Sequence, residues 1–197
     1  MTNKIALGAL VAAFLQFVAL IITVFVMRSA ARRQFRAYCG PIEFRTHLPH
    51  LGDPTFEVPD PAPPNYVFTH YIICTVQNFG TTPAFDLNVV MNWQPVTPFG
   101  SSMPEEFEYP DQRKIMQDGG TVVDPGQTFP ALIVVNPVAG FREAKAKRAT
   151  LYLYGNIDYT DAFKRRWRRT FCVTWEPWNP VGLQFIPYRT HNDEKRI

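Results

Sequence analysis

Residues 5–27, IALGALVAAFLQFVALIITVFVM, form an uncharged apolar run that is followed directly by arginine. As an α-helix this run would be roughly 34 Å long, enough to cross a hydrocarbon core of about 30 Å. Lipid offers no partners for backbone N–H and C=O groups, so a single apolar segment can cross only as a helix. The sequence therefore predicts a transmembrane helix over 5–27, after a short flank over 1–4, and a domain that folds beside a bilayer.

A cleaved signal peptide is the alternative interpretation of the same run. Signal peptides have an apolar core of about 7–15 residues that ends at a cleavage site with small residues. Here the run is longer and Arg28 follows it at once. The small residues 29–31 imitate a cleavage site only weakly, because arginines flank them. The pattern favours an anchor.

The segment over 28–37 is a basic juxtamembrane segment, and we interpret its arginines as membrane-interface residues: Arg28, Arg32, Arg33 and Arg36. The other side of the run carries only Lys4 and the α-amine. Positive residues that flank a span stay in the cytoplasm, where the leaflet is anionic. The sequence therefore predicts a single-pass inner-membrane protein with its N-terminus outside and its large domain in the cytoplasm.

Small and polar residues recur along one side of the predicted helix, at Gly8, Ala12, Gln16, Ala19 and Thr23. At about 100° per residue they fall within an arc of about 80°. Small residues let helices approach closely, and an amide can form a hydrogen bond across the contact. We interpret this stripe as a helix–helix contact with another membrane protein or with a second copy.

The rest of the chain has the pattern of an all-β domain. Eighteen prolines disfavour long helices, and short alternating segments are separated by Pro/Gly turns. We predict an immunoglobulin-like β-sandwich of about 7–8 strands over 38–190, with a proline-rich loop over 46–65 and a polar tail over 191–197. Alternation in the strands predicted over 66–77 and 85–93 assigns these side chains to core faces: Tyr66, Phe68, His70, Ile72, Cys74, Val76, Phe85, Leu87, Val89, Met91 and Trp93.

Three turn and strand motifs accompany this pattern: NFGTTPA at 78–84, DPG at 124–126, and GNIDYTD at 155–161 followed by Phe171-Cys172. Together with the apolar run, they resemble a family of uncharacterised bacterial single-pass membrane proteins. The resemblance covers most of the chain. It implies an N-terminal transmembrane helix and an immunoglobulin-like sandwich, and it brings no catalytic residues.

A second basic cluster lies near the end of the predicted domain: Lys164, Arg165, Arg166, Trp167, Arg168 and Arg169. Outside the two basic clusters, eleven basic residues stand against seventeen acidic ones. Basic patches on an acidic body favour anionic headgroups or an acidic partner. On a strand these side chains alternate between two faces, which argues against one flat surface for nucleic acid. We therefore interpret the cluster as a candidate partner or lipid contact.

The sequence offers little for catalysis, cofactors or metals. His47 and His50 are three apart on a proline-rich loop, and a structural zinc site needs four ligands. Asp158 and Asp161 form the one pair of carboxylates that could suit glycoside chemistry, but aspartate at a turn normally caps its own backbone. We expect a protein that is not an enzyme, with no cofactor, no metal and no small-molecule substrate.

The chain has only three cysteines, Cys39, Cys74 and Cys172. A small, odd number gives no disulfide framework and suits a reducing compartment. In a regular strand Cys172 lies with Arg166 and Arg168, opposite Phe171. It is then a poor partner for Cys74, although a β-bulge would reverse the alternation. Whether these two are bridged stays open.

These features predict a membrane-anchored, non-catalytic interaction or accessory subunit that binds a membrane-protein partner through its helix and its β-sandwich. The alternative is a periplasmic, membrane-tethered binding module with the opposite topology, in which aromatic rings would stack on carbohydrate. Those rings are Trp175, Trp178, Tyr152 and Tyr154.

Overall fold

The computed structural model describes residues 2–48, 71–103, 121–134, 139–178, 184–190 and 192–197; the side chains of 2–12, 33, 134 and 139 lie outside that description. The chain forms two compact units, Met1–Arg36 and Ala37–Ile197.

The first unit is one long helix, α1 (Thr2–Gln34). Its segment Ala13–Arg32 has a mean hydropathy of 2.0, and none of it is buried. Large apolar side chains from Phe14 to Met27 are 40–68% exposed. The chain therefore has one N-terminal helix that is apolar enough to span a membrane, a property that a signal sequence shares.

Helix α1 continues past residue 27, where the predicted transmembrane helix ends. Arg28, Arg32 and Arg33 all lie on the helix, whereas Arg36 follows its last residue, Gln34. The reason is local, since arginine, alanine and glutamine are strong helix formers. Most of the basic segment therefore belongs to the helix itself.

In the described part of the second unit, most residues lie in β-strands. Its described elements are β1 (Cys39–His47), β2 (Tyr71–Asn78), β3 (Phe85–Val96), β4 (Thr128–Val134), α2 (Ala139–Lys145), β5 (Thr150–Thr160), β6 (Arg166–Trp175), β7 (Phe185–Pro187) and β8 (Glu194–Arg196). One sheet has the order β1-β2-β4, and the other has the order β3-β5-β6-β7, with β8 also paired to β6. All of these pairings are antiparallel.

Side chains from both sheets form one shared hydrophobic core. Its buried members include Ile72, Cys74 and Val76 of β2, Leu87, Val89 and Met91 of β3, and Leu151, Leu153, Ile157, Tyr159, Phe171, Val173 and Trp175 of β5 and β6. The predicted alternation is confirmed for β2 and β3 at these positions. Phe85 is 37% exposed and Trp93 only packs against the core, while residues 66–70 lie outside the described part.

Strand β5 is buried on both faces from Leu151 to Ile157. Its even-numbered side chains join a second cluster on the outer face of the five-stranded sheet, which contains Met103, Tyr152, Tyr154 and Cys172, with Val96 and Tyr188 against it. This strand is therefore the centre of the domain.

Strand pairing defines two ends of the domain. At the Ala37 end, Cys39 pairs with Asn78 in one sheet and Phe85 pairs with Thr160 in the other. The Tyr159 hydroxyl oxygen lies there, 3.4 Å from the Ala37 carbonyl oxygen. At the opposite end, the His47 end, the strand pairs are His47 with Tyr71, Val96 with Thr150 and Trp175 with Phe185.

The predicted polar tail differs most from the structure. Residues 194–196 form β8, which pairs with the first half of β6. The Tyr159 hydroxyl donates to the Glu194 carboxylate at 2.5 Å. A charged tail has no alternating pattern, so only this tertiary pairing makes it a strand. The proline-rich loop predicted over 46–65 begins too early, because Thr46 and His47 pair with β2 as the end of β1, and residues 49–65 lie outside the described residues.

Candidate interaction surfaces

The small-residue stripe of α1 is described over its second half. Gln16, Ala19 and Thr23 are exposed, whereas the side-chain positions of Gly8 and Ala12 lie outside the description. The Thr23 hydroxyl donates to the Ala19 carbonyl at 2.8 Å, so its proton is used within the helix. Gln16 is therefore the described member of the stripe best suited to donate to a partner.

The arginines of the basic segment differ in how exposed their side chains are. Arg28 is exposed, Arg32 and Arg36 are half-buried, and the Arg33 side chain lies outside the description. Arg28 and Arg32 are four residues apart, so they share a side of α1. They follow the apolar surface directly, where long basic side chains can reach headgroups.

The basic cluster around 164–169 divides into exposed and engaged side chains. Lys164 and Arg166 are exposed. Arg165 is half-buried, and its guanidinium lies 5.3 Å from the centre of the Phe163 ring. Trp167 packs against the shared core, so it is part of the fold. Of the six predicted contacts, only two stand clear of the domain.

The last two arginines of the cluster stabilise strands. Arg168 forms a bidentate pair with Asp158 across β5 and β6, through bonds of 2.7 and 2.6 Å. Such paired bonds to a carboxylate are stronger than single ones and fix geometry. The Arg169 guanidinium lies 4.7 Å from the Tyr38 ring centre, in the cation–π range. Gly40 lets it approach, because a Cβ there would be 3.0 Å from Arg169 Nη1.

The two carboxylates at the β5–β6 turn have structural roles. Asp161 is 1% exposed, and one of its oxygens accepts from the backbone N–H groups of Phe163 and Arg165, at 2.8 and 3.0 Å. Its other oxygen accepts from the Trp167 indole N–H at 3.0 Å. The backbone-capping interpretation of Asp161 is confirmed, while Asp158 is held by Arg168.

Asn78 is a buried hub that pattern reasoning missed. Its side-chain oxygen accepts from Tyr38 N at 3.2 Å and from Gly80 N at 2.9 Å. Its side-chain nitrogen donates to the carbonyls of Thr82 and Val123, at 2.8 and 2.9 Å. The NFGTTPA motif thus ties three chain segments together. Its first residue was visible in the sequence only as a turn signal.

The three cysteines are free and fully buried. Burial raises the pKa of the Cys39 thiol to about 12, with the Glu194 carboxylate raising it further and Arg169 opposing the shift. Burial also raises the pKa of Cys172 to about 12 and raises that of Cys74. Cys172 lies in the outer cluster and Phe171 in the shared core, so the predicted alternation holds there. These thiols are protonated and inaccessible at neutral pH.

A cleft of about 970 Å³ lies between β1 and β7. Its apolar floor includes Phe44, whose ring centre is 5.6 Å from that of Phe171 and 5.4 Å from that of Phe185. Within the described residues β1 has a strand partner on one side only, so its other edge can accept an added strand. Pro41 and the bulge between Pro41 and Glu43 limit such pairing at the start of β1.

Three of the four rings proposed for carbohydrate stacking are enclosed. Tyr152 and Tyr154 lie in the outer cluster and Trp175 lies in the shared core. The Tyr152 hydroxyl donates to the Ser101 carbonyl at 2.7 Å. Trp178 is half-buried, and its ring packs edge-on against Phe99 at 5.4 Å. Tyr152, Trp175 and Trp178 nevertheless line one pocket of about 430 Å³, and Trp178 is the most exposed of the three.

Metal-ligating side chains do not gather in the described part of the chain: no three His, Cys, Asp or Glu residues there come close enough to share an ion. The His47 ring stacks on Tyr71, with ring centres 4.9 Å apart. His50 and His70 lie outside the described residues.

Comparisons with family models, with curated proteins and with solved structures found no match. Over the residues that it describes, the structure establishes one N-terminal apolar helix and a mostly β domain built of two antiparallel sheets.

Proposed function

We propose that this protein is a membrane-anchored, non-catalytic accessory subunit. In this proposal α1 spans the bilayer and contacts a membrane-protein partner, or a second copy, while the β domain supplies a further binding surface. The observation that carries the proposal is the exposed apolar surface of Ala13–Arg32, none of which is buried within the chain. Lipid and a neighbouring helix are the environments that suit such a surface.

Polar residues of the sequence motifs stabilise the fold, and the cleft beside β1 offers a binding surface. Asn78 and Asp161, two of the three buried polar residues of the sequence motifs, make hydrogen bonds within the fold. The Arg168–Asp158 pair connects neighbouring strands. The cleft beside β1 supplies an apolar floor and a strand edge that has no partner among the described residues, which are the elements of strand-addition binding.

The finer assignments belong to the same proposal. A three-stranded and a five-stranded antiparallel sheet around one core are compatible with an immunoglobulin-like sandwich and with the bacterial single-pass family that the motifs resemble. The arginines that follow the span favour an N-terminus outside and a cytoplasmic domain. Three free thiols suit a reducing compartment.

Partner capture tests the proposal through Gln16. The tagged full-length chain would be purified from membranes in mild detergent, and co-purifying proteins would be quantified by mass spectrometry. We expect one stoichiometric membrane partner, or self-association. Gln16→Leu should reduce this recovery roughly threefold or more, because an interhelical hydrogen bond in a membrane contributes about 0.6–2 kcal/mol.

Ile21→Leu is the matched control for this experiment. Ile21 lies five residues after Gln16, on the opposite side of the helix from the stripe, so this change should leave recovery unaltered. Absence of a stoichiometric partner together with a monomeric chain would contradict the subunit proposal.

Topology can be tested with a cysteine placed on the surface, because the native thiols are buried and protonated. Lys145 is exposed on α2 and suits the substitution Lys145→Cys. We expect a membrane-impermeant maleimide to label this variant only after spheroplasts are lysed. The unsubstituted chain should remain unlabelled before and after lysis. Labelling of intact spheroplasts would instead place the domain in the periplasm and support the alternative function.

A further inference from the structure

Exposed apolar side chains concentrate at the Ala37 end of the domain. In the described part of the second unit, seven large apolar side chains are more than a third exposed. Two lie elsewhere, Ile42 within β1 and Phe99 near the His47 end. The other five lie at the Ala37 end: Phe79, Phe85, Val122, Phe163 and Ile197. Single exposed apolar residues are ordinary, but this grouping at one end is not.

Backbone pairing places these five residues together. Phe79 follows the end of β2, and its N–H donates to Tyr38 O at 2.7 Å. Val122 adjoins Val123, which bridges to Ala84 beside Phe85. In the five-stranded sheet, to which Phe85 also belongs, Phe163 lies in the β5–β6 turn, and the Ile197 N–H donates to the Arg166 carbonyl at 3.1 Å. Both sheets and the C-terminal strand therefore contribute to this end.

Basic side chains lie on one side of this apolar group. The β5–β6 turn and β8 supply Lys164, Arg165, Arg166 and Arg196, and the exposed acids at the same end are Asp86 and Asp124. Asp158 pairs with Arg168, and Asp161, the carboxylate within the turn, accepts from the turn backbone and from the Trp167 indole. Lys164 and Arg166 have no ion-pair partner among the described residues, so the hairpin side of this end is net positive.

We propose that the Ala37 end of the domain rests on an anionic membrane surface. Its apolar side chains enter the interfacial region, and Lys164 and Arg166 contact acidic headgroups. This inference rests on the proposed function, because it requires α1 to be a membrane anchor. Ala37 is the first residue of the second unit, so the chain enters the domain at this same end.

The chemistry of this end fits a bilayer surface better than water. Phenylalanine with neighbouring lysine and arginine is the composition of interfacial segments, which bury apolar groups near the headgroup boundary. Each Lys or Arg close to an anionic leaflet favours contact about fivefold. The Arg165 guanidinium over the Phe163 ring shows both groups on one surface, 5.3 Å apart. The docked domain directs its His47 end away from the bilayer.

Spin-label accessibility tests this docking. The full chain would be placed in nanodiscs of phosphatidylcholine alone or with about a third phosphatidylglycerol, with a nitroxide on Ala162→Cys in the turn. We expect this label to be more accessible to oxygen than to a water-soluble nickel chelate in the anionic discs. Lys145→Cys, near the His47 end, is the matched control and should report water in both lipids. Lys164→Gln with Arg166→Gln should lower the docked-to-undocked ratio at Ala162 roughly 25-fold.

The outcomes separate this inference from the proposed function. An Ala162 label that reports water in both lipids, on a chain that resists carbonate extraction, overturns the docking and leaves the anchor intact. A label that is shielded from both reagents, and is shielded more strongly when each disc holds more copies, indicates contact with a second chain. That result would also overturn the membrane docking. Extraction of the chain by carbonate contradicts the anchor itself. Lys164 and Arg166 are exposed, so the double variant should keep its near-ultraviolet circular dichroism.

Discussion

Gly155→Ala should lower the free energy of unfolding of the domain by about 3 kcal/mol or more. Gly155 lies in the middle of β5, between Met91 of β3 and Phe171 of β6. A Cβ at this position would overlap the Val90 carbonyl oxygen and would lie 2.7 Å from Phe171 Cζ. The backbone cannot move aside easily, because both neighbouring strands are paired along their length.

The Phe171 ring cannot move away from an added Cβ without a new clash. Phe171 is 1% exposed, and its ring centre is 5.6 Å from that of Phe44 in the opposite sheet. Moving Phe171 away from β5 therefore pushes it into Phe44 and separates the sheets. Close-packed interiors transmit such strain, so the cost extends beyond one contact.

Thermal denaturation of the full chain in detergent, followed by tryptophan fluorescence, would measure this effect. For a domain of this size, about 3 kcal/mol corresponds to a fall in midpoint of roughly 6–12 °C. Gly126→Ala is the control, since Gly126 has a φ of 78° but no atom within 4 Å of an added Cβ. That change should cost about 1 kcal/mol from backbone strain alone. Equal losses of stability from the two substitutions would contradict the clash expected for a Cβ at Gly155.

The sequence predicted the elements that follow from local periodicity. The uncharged run defined α1, and alternation in β2 and β3 selected Ile72, Cys74, Val89 and Met91 for the core. Alternation also placed Cys172 and Phe171 on opposite faces of β6. These predictions succeed because each depends on the geometry of one segment, and side-chain direction along a strand alternates whatever the partner.

The remaining features depend on partners far along the chain. Gly155 lies inside an apolar strand pattern, and only the packing of Val90 and Phe171 explains why a side chain is excluded there. The sequence of β8 is charged, and it becomes a strand because β6 has an edge for it to pair with. Composition cannot reveal either relationship, because both are tertiary.

The basic cluster shows the same division. The sequence showed that its side chains alternate between two faces, but it did not show which of its arginines contact other residues of the fold. Arg168 is used by Asp158, and Arg169 by the Tyr38 ring, whereas Arg166 remains exposed. The candidate surface is thus narrower than the six predicted residues, and exposed apolar residues of other segments extend it at the Ala37 end.

Asn78→Asp should be as damaging as Gly155→Ala, for an electrostatic reason. The side-chain nitrogen of Asn78 donates to the carbonyl oxygens of Thr82 and Val123, and its oxygen accepts from two backbone N–H groups. These four partners fix which atom is the amide nitrogen. A carboxylate would point an anionic oxygen at two carbonyl oxygens in a site that is 0% exposed. We expect a loss of about 4 kcal/mol at pH 7, since a buried unpaired charge costs several kcal/mol.

This loss should depend on pH with a definite sign. Burial and the facing carbonyls disfavour the charged form, so the pKa of an aspartate at position 78 would rise in the folded state above its unfolded value of about 3.9. Between the two pKa values the folded chain binds more protons than the unfolded chain, so stability falls as pH rises. Below about pH 4 the protonated acid can donate to one carbonyl, and part of the loss should be recovered.

Urea denaturation of wild type and variant at pH 4 and pH 7 would measure this difference. Gln77→Glu is the matched change from amide to acid on the same strand, since Gln77 is half-exposed and donates to Gly126 O at 3.1 Å. There the carboxylate keeps its water, so we expect a cost below about 1 kcal/mol with little pH dependence. If Asn78→Asp behaved like Gln77→Glu, Asn78 would be a replaceable turn residue. A large loss confined to high pH would instead make Asn78 the junction that joins the start of β1, the 78–84 turn and the loop before β4.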